Sequence, residues 1–289
     1  MRWHAGITMM LTTLAVAMLA AAPAFHVDVV APAPEKPKMI LIPGLQSAGA
    51  VWDTTVAHYK DRYECHVLTL AGFAGQPPLP AATPLLSTVR EQLAAYIREK
   101  HLVKPVIVGH SLGGFLALWM AESEPGLTGP IVIVDSLPFL PAAWMPGATV
   151  ETMKPQADQM KGMIAGMTSE AWSNYQKHNP AIDTMISGDE GKAKATEWGL
   201  QSDPSTVARG MAELFQTDLR SDVSKVKVPA LVLAALKGYP ESAAKNYSAQ
   251  YTALSGVKIV PFPDSKHFIM FDQPAKMMEA MDEFLKGTK

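Results

Sequence analysis

Ser111 lies in the run Gly109-His110-Ser111-Leu112-Gly113-Gly114, which follows an apolar stretch at 106–108 and opens a helix-forming stretch at 115–121. A G-x-S-x-G pattern between strand and helix forces the serine onto a sharp turn, where its hydroxyl stands clear of the sheet. Glycines at 109 and 113 let strand and helix approach without a Cβ clash, and the helix start behind Ser111 favours a developing anion. The chemistry expected of such a residue is acyl transfer. A serine is a weak nucleophile alone, so the chain must also supply a base, an acid to orient it, and donors for an oxyanion. A carboxylate nucleophile at this turn is excluded by Ser111 itself.

Other chemistries find little support. No two histidines sit at i, i+4 and no Cys/His cluster has ligand spacing, so neither metal nor cofactor is expected. Glycines 109–114 lack the Lys-Ser/Thr that completes a phosphate loop. The 25 basic and 27 acidic residues leave a net charge of −2, which gives no reason to expect nucleic acid; the expected partner is a small-molecule substrate. The single cysteine, Cys65, cannot form an internal disulfide and sits in an apolar run that suits a buried strand.

The elements that must position Ser111 follow from periodicity. Short β-branched runs at 39–42, 67–70, 105–108, 131–134, 230–233 and 257–260 are bounded by Pro, Gly or Asp. Most are apolar throughout, as parallel strands covered on both faces should be. Between them, Leu85, Leu86, Val89, Leu93, Tyr96 and Ile97 form one helical stripe, and Met277, Met278, Met281, Phe284 and Leu285 another. Strands alternating with helices predict an α/β fold with a doubly wound, mostly parallel sheet, whose ligands bind beyond the carboxyl ends of the strands. Residues 138–203 break the rhythm, with no strand and six methionines, and are expected to form a helical cap between core segments 39–137 and 204–289. Methionine suits both irregular cores and adaptable apolar binding surfaces. Met145, Met163 and Trp144 are therefore candidate substrate-binding residues, with core filling as the other reading.

The N-terminus reads differently from the rest. Arg2 and His4 precede an apolar run at 7–20 and the small residues Ala21, Ala22, Pro23 and Ala24, the layout of a signal peptide over 1–24. Cleavage after Ala24 is expected, leaving a Pro-rich leader at 25–38, a periplasmic or secreted protein and no stable membrane span.

From residue 39 onward these motifs resemble the α/β-hydrolase family. Ile42-Pro43-Gly44-Leu45 resembles its oxyanion loop, with Pro43 where histidine is usual, and Leu70-Ala71-Gly72-Phe73-Ala74-Gly75 its Gly-rich loop. The resemblance implies His267, after the last strand, as base, and the backbone N–H groups of Leu45 and Leu112 as oxyanion donors. For the acid it implies either Asp135, ending the 131–134 run, or Glu241, in the loop where the family usually keeps it; Gly238 occupies the usual position. The implied function is a serine hydrolase cleaving a carboxylic ester or related acyl bond of a small apolar substrate. Amide, lactone and carbon–carbon hydrolysis stay open, as does a binding protein of this fold without turnover.

Overall fold

The computed structural model describes residues 22–288, so the signal segment expected at 1–24 lies outside the described residues up to residue 21. Seven strands form one sheet: β1 (Phe25–Val30), β2 (Lys38–Ile42), β3 (Glu64–Leu70), β4 (Val106–His110), β5 (Ile131–Val134), β6 (Ala230–Ala235) and β7 (Lys258–Phe262). Their order is β1-β3-β2-β4-β5-β6-β7. All pairs are parallel except β1 with β3. Helices α1 (Asp53–Tyr59), α2 (Leu85–Glu99) and α3 (Leu112–Ser123) link the first strands. Then come α4 (Val150–Ala165), α5 (Ser169–Lys177), α6 (Pro180–Met185), α7 (Asp189–Leu200) and α8 (Pro204–Gln216), all between β5 and β6. α9 (Ser242–Gln250), α10 (Ile269–Asp272) and α11 (Pro274–Lys286) complete the chain.

The six parallel strands are the six apolar runs of the sequence, and their alternation feeds two cores. Ile40, Ile42, Ile131 and Ile133 pack on one face with Leu85, Val89, Leu93 and Ile97 of α2 and with Phe115 and Leu116 of α3. Met39, Leu41, Val132 and Val134 pack on the other with Tyr59, Met277, Met281 and Leu285. Side chains alternate faces along a strand, so a run apolar at every position fits only a sheet covered on both sides.

Residues 25–30 correct the sequence reading. They are not a leader outside the fold: β1 pairs antiparallel with β3 along its whole length, from Phe25 opposite Leu70 to Val30 opposite Cys65. Phe25 also meets Tyr96 edge-on at 6.1 Å. Ala24 is fully buried, donates to Gln92 and accepts from the Ala71 N–H, so a chain cut after Ala24 would lose both bonds. The Ala33 N–H, between β1 and β2, and the ammonium of Lys38, which opens β2, both reach the Glu64 carboxylate.

Residues 138–203 hold helices and no strand. Their far boundary is less sharp than expected, because α8 packs on α4 of the insertion and also on α2 of the core.

Candidate active site

The site is assembled at the carboxyl ends of β4, β5 and β6. His110 pairs with Val134 and Val134 with Leu233, so β4 and β5 end in register while β6 runs on to Ala235. The Ser111 N–H then donates to the Val134 carbonyl at 2.9 Å, and the Asp135 N–H to the Leu233 carbonyl at 2.8 Å. Ser111 and Asp135 are thus the first residues past adjacent strands, which lie about 4.8 Å apart. Both leave the sheet through positive φ, 53° at Ser111 and 50° at Asp135. Side chains rarely adopt that conformation, and it persists only where surrounding structure enforces it.

Two glycines enforce the turn at Ser111. A Cβ on Gly109 would lie 2.0 Å from the Gly113 carbonyl oxygen, and one on Gly113 would lie 2.2 Å from that of Ile42. Backbone on both sides leaves no room to yield. Gly113→Ala is expected to destabilise the protein by about 3 kcal/mol, the upper end for overpacking. An unchanged urea midpoint would contradict this packing.

Asp135 is 4% exposed, and its carboxylate is fully engaged. Oδ2 meets His267 Nδ1 at 2.5 Å, while Oδ1 accepts from the Ala235 N–H at 2.7 Å and from the Tyr247 hydroxyl at 2.5 Å. A buried charge needs such partners. Burial, then the Asp135 charge, pushes the Tyr247 phenol well above the usual tyrosine range, so it stays a donor. With Nδ1 committed to Asp135, His267 keeps Nε2 for a nucleophile. Among the described residues the Ser111 hydroxyl has no hydrogen-bond partner. Glu241 is exposed at the start of α9, and Gly238 has open space where a side chain would stand.

Leu112 opens α3, so its N–H is one of the helix-start donors that lack an intrahelical acceptor. Leu45 sits in a turn closed by the Ser47 N–H on the Gly44 carbonyl, and a Cβ on Gly44 would touch that of Ser111 at 3.2 Å. Both expected oxyanion residues therefore border the nucleophile.

Among the described residues no hydrogen bond or ring contact links the expected substrate-binding residues to this cluster. Trp144, Met145 and Met163 are all largely exposed, and Trp144 lies against Phe215. The stripe of α4 runs through Met153, Ala157, Met160 and Ile164, which leaves Met163 off the buried face. Two residues escaped the sequence reading. His110, the residue between the first glycine and the serine of G-x-S-x-G, donates from Nε2 to the His267 carbonyl at 3.1 Å and lies against the His267 ring at 4.6 Å. Burial, then His267, holds it well below the usual histidine range and so neutral. Tyr247 carried no local signal, since only the fold brings α9 over the end of β5.

Among the described residues no group of His, Cys, Asp and Glu could hold a metal ion, and no helix is long and apolar enough to cross a membrane.

The sheet order, the elbow at its centre and the histidine after the last strand define one class. The chain belongs to the alpha/beta hydrolase family, whose pattern matches residues 39–280. It is 23% identical over 256 residues to a pimeloyl-[acyl-carrier protein] methyl ester esterase of Nitrosomonas europaea, covering 85% of this chain and 94% of that one. Among solved structures it resembles the enol-lactonase of Burkholderia xenovorans LB400, with a TM-score of 0.72 at 15% identity over 91% of this chain and 96% of that one. It also resembles a thermophilic esterase of Thermogutta terrifontis, with a TM-score of 0.67 at 18% identity over 91% and 93%.

Proposed function

We propose that the protein is a serine hydrolase that cleaves a carboxylic ester, or a related acyl bond, of a small apolar substrate through an acyl-enzyme on Ser111. The observation that carries this reading is the 2.5 Å bond from His267 Nδ1 to a fully partnered Asp135, beside a serine held at φ 53°. The methyl ester esterase of Nitrosomonas europaea supports the ester class.

The steps follow from roles. Ser111 Oγ attacks the carbonyl carbon as His267 Nε2 takes its proton. The carbonyl oxygen gains the charge and accepts from the Leu112 and Leu45 N–H groups. Collapse breaks the bond to the leaving alkoxide, which takes the proton from His267. Water then repeats the sequence on the acyl-enzyme, releasing the acid and restoring Ser111. Asp135 fixes the imidazole tautomer and stabilises its charge throughout.

Turnover of p-nitrophenyl acetate and butyrate, set against the matching anilides, tests the reading. Ester hydrolysis that leaves the anilides intact supports it. No turnover of any acyl substrate by folded protein would leave a binding protein instead.

The helices between β5 and β6 act, in this reading, as a cap that sets substrate preference. Met163, 63% exposed, lies outside that role. Met163→Ala is expected to leave kcat/KM on both esters within about two-fold, as surface substitutions do. A selective loss on butyrate would return Met163 to the binding surface. Export guided by the N-terminal segment belongs to the same proposal, and N-terminal sequencing of the periplasmic or secreted fraction tests it.

A further inference from the structure

The oxyanion loop is held from an unexpected side. Gly44, Leu45, Gln46 and Ser47 form a turn closed by the Ser47 N–H on the Gly44 carbonyl at 3.2 Å, and Gln46 takes φ 61°. A turn with positive φ at its third residue ordinarily uses glycine or asparagine there. Glutamine has no such freedom, so something outside the turn must hold it.

That something is α5. Gln176, 1% exposed, donates from Nε2 to Gln46 Oε1 at 3.0 Å. Trp172, one turn earlier on the same face, donates to the Gly199 carbonyl of α7 at 3.1 Å. Gly199 leaves the space that the pair fills: a Cβ there would lie 2.3 Å from Gln176 Oε1 and 3.0 Å from Gln46 Oε1. Gly210 of α8 does likewise on the other side, since its Cβ would meet the Leu45 side chain at 3.2 Å and that of Leu112 at 3.7 Å. Three helices between β5 and β6 therefore close on the two proposed oxyanion residues through glycines and one amide pair.

We propose that Gln176 is a positioning residue for the oxyanion hole: its bond to Gln46 holds the Gly44–Ser47 turn so that the Leu45 N–H faces the reacting carbonyl. The proposal rests on the serine hydrolase reading. It makes the oxyanion donor depend on the insertion being seated, so the helices between β5 and β6 contribute to the chemical step as well as to substrate choice. The charge on that oxygen develops only as the tetrahedral intermediate forms and is absent from the bound ester, so a displaced donor lowers kcat more than it raises KM.

Gln176→Met tests this, because methionine keeps the buried volume and removes the donor. On p-nitrophenyl acetate, kcat is expected to fall about 10-fold with KM within about two-fold, short of the 10²–10³-fold cost of removing an oxyanion donor outright. The same substitution made on a Gln46→Gly background should cost less than about two-fold further, because glycine holds the positive φ without a clamp. Should Gln176→Met lose its cooperative melt, Gln46→Met removes the same bond from the loop side, with the same expected fall. A kcat unchanged by either variant overturns the proposal, as does a full 10-fold loss that persists on the glycine background. Wild-type protein without Ser111-dependent ester hydrolysis overturns the underlying reading and this proposal together, whereas an active wild type with intact variants overturns this one alone.

Discussion

Asp135→Asn should lower kcat by about 10⁴-fold, the scale that a wrong imidazole tautomer costs a serine protease. The environment of Asp135 dictates the direction of the error. Oδ1 accepts from the Ala235 N–H and the Tyr247 hydroxyl, and a backbone N–H cannot turn into an acceptor. Asparagine must therefore put its carbonyl oxygen there and aim its amide N–H group at His267 Nδ1. Nδ1 then accepts, the ring proton moves to Nε2, and the nitrogen facing Ser111 can no longer take a proton. Glu241→Gln, at an exposed position, should leave kcat within about two-fold. Steady-state kinetics on one aryl ester, with melting curves for both variants, rank the two carboxylates. A large loss at Glu241 with a small one at Asp135 would overturn the assignment of the acid.

Ser111→Ala should cost still more, about 10⁶-fold in kcat, as loss of the nucleophile does in a triad that acts as one unit. The fold should be untouched. Ser111 is partly exposed, its hydroxyl has no partner among the described residues, and alanine meets the same backbone demand at φ 53°. A melting temperature within a degree or two of wild type, with turnover lost, is the expected pair of results. Retained esterase activity would move the nucleophile elsewhere.

Much of this site was legible in residue order because its parts sit where strands end. Val106–His110 and Ile131–Val134 are short apolar strands that pair in parallel, so the residues just past them, Ser111 and Asp135, emerge side by side at one end of the sheet. His267 followed from the family resemblance, which implies a base after the last strand. What stayed hidden depends on contacts distant in sequence. Gln176 meets Gln46 across 130 positions and Tyr247 meets Asp135 across 112, and neither glutamine nor tyrosine carries a local pattern announcing such a partner. β1 was hidden for another reason. Phe25-His26-Val27-Asp28-Val29 alternates as an edge strand should, yet the prolines at 32, 34 and 37 give residues 25–38 as a whole the composition of an extended leader. The methionines at 145 and 163 show the limit of composition, since side chains of one type in one insertion face both core and solvent.

The most direct test of the central claim is covalent. Purified protein treated with a small fluorophosphonate should gain the mass of one phosphonyl group per chain, and peptide mapping should place it on Ser111. Prior incubation with an aryl ester substrate should slow the reaction. Absence of an adduct on folded protein, an adduct on another residue, or equal labelling of Ser111→Ala would contradict a serine hydrolase acting through Ser111.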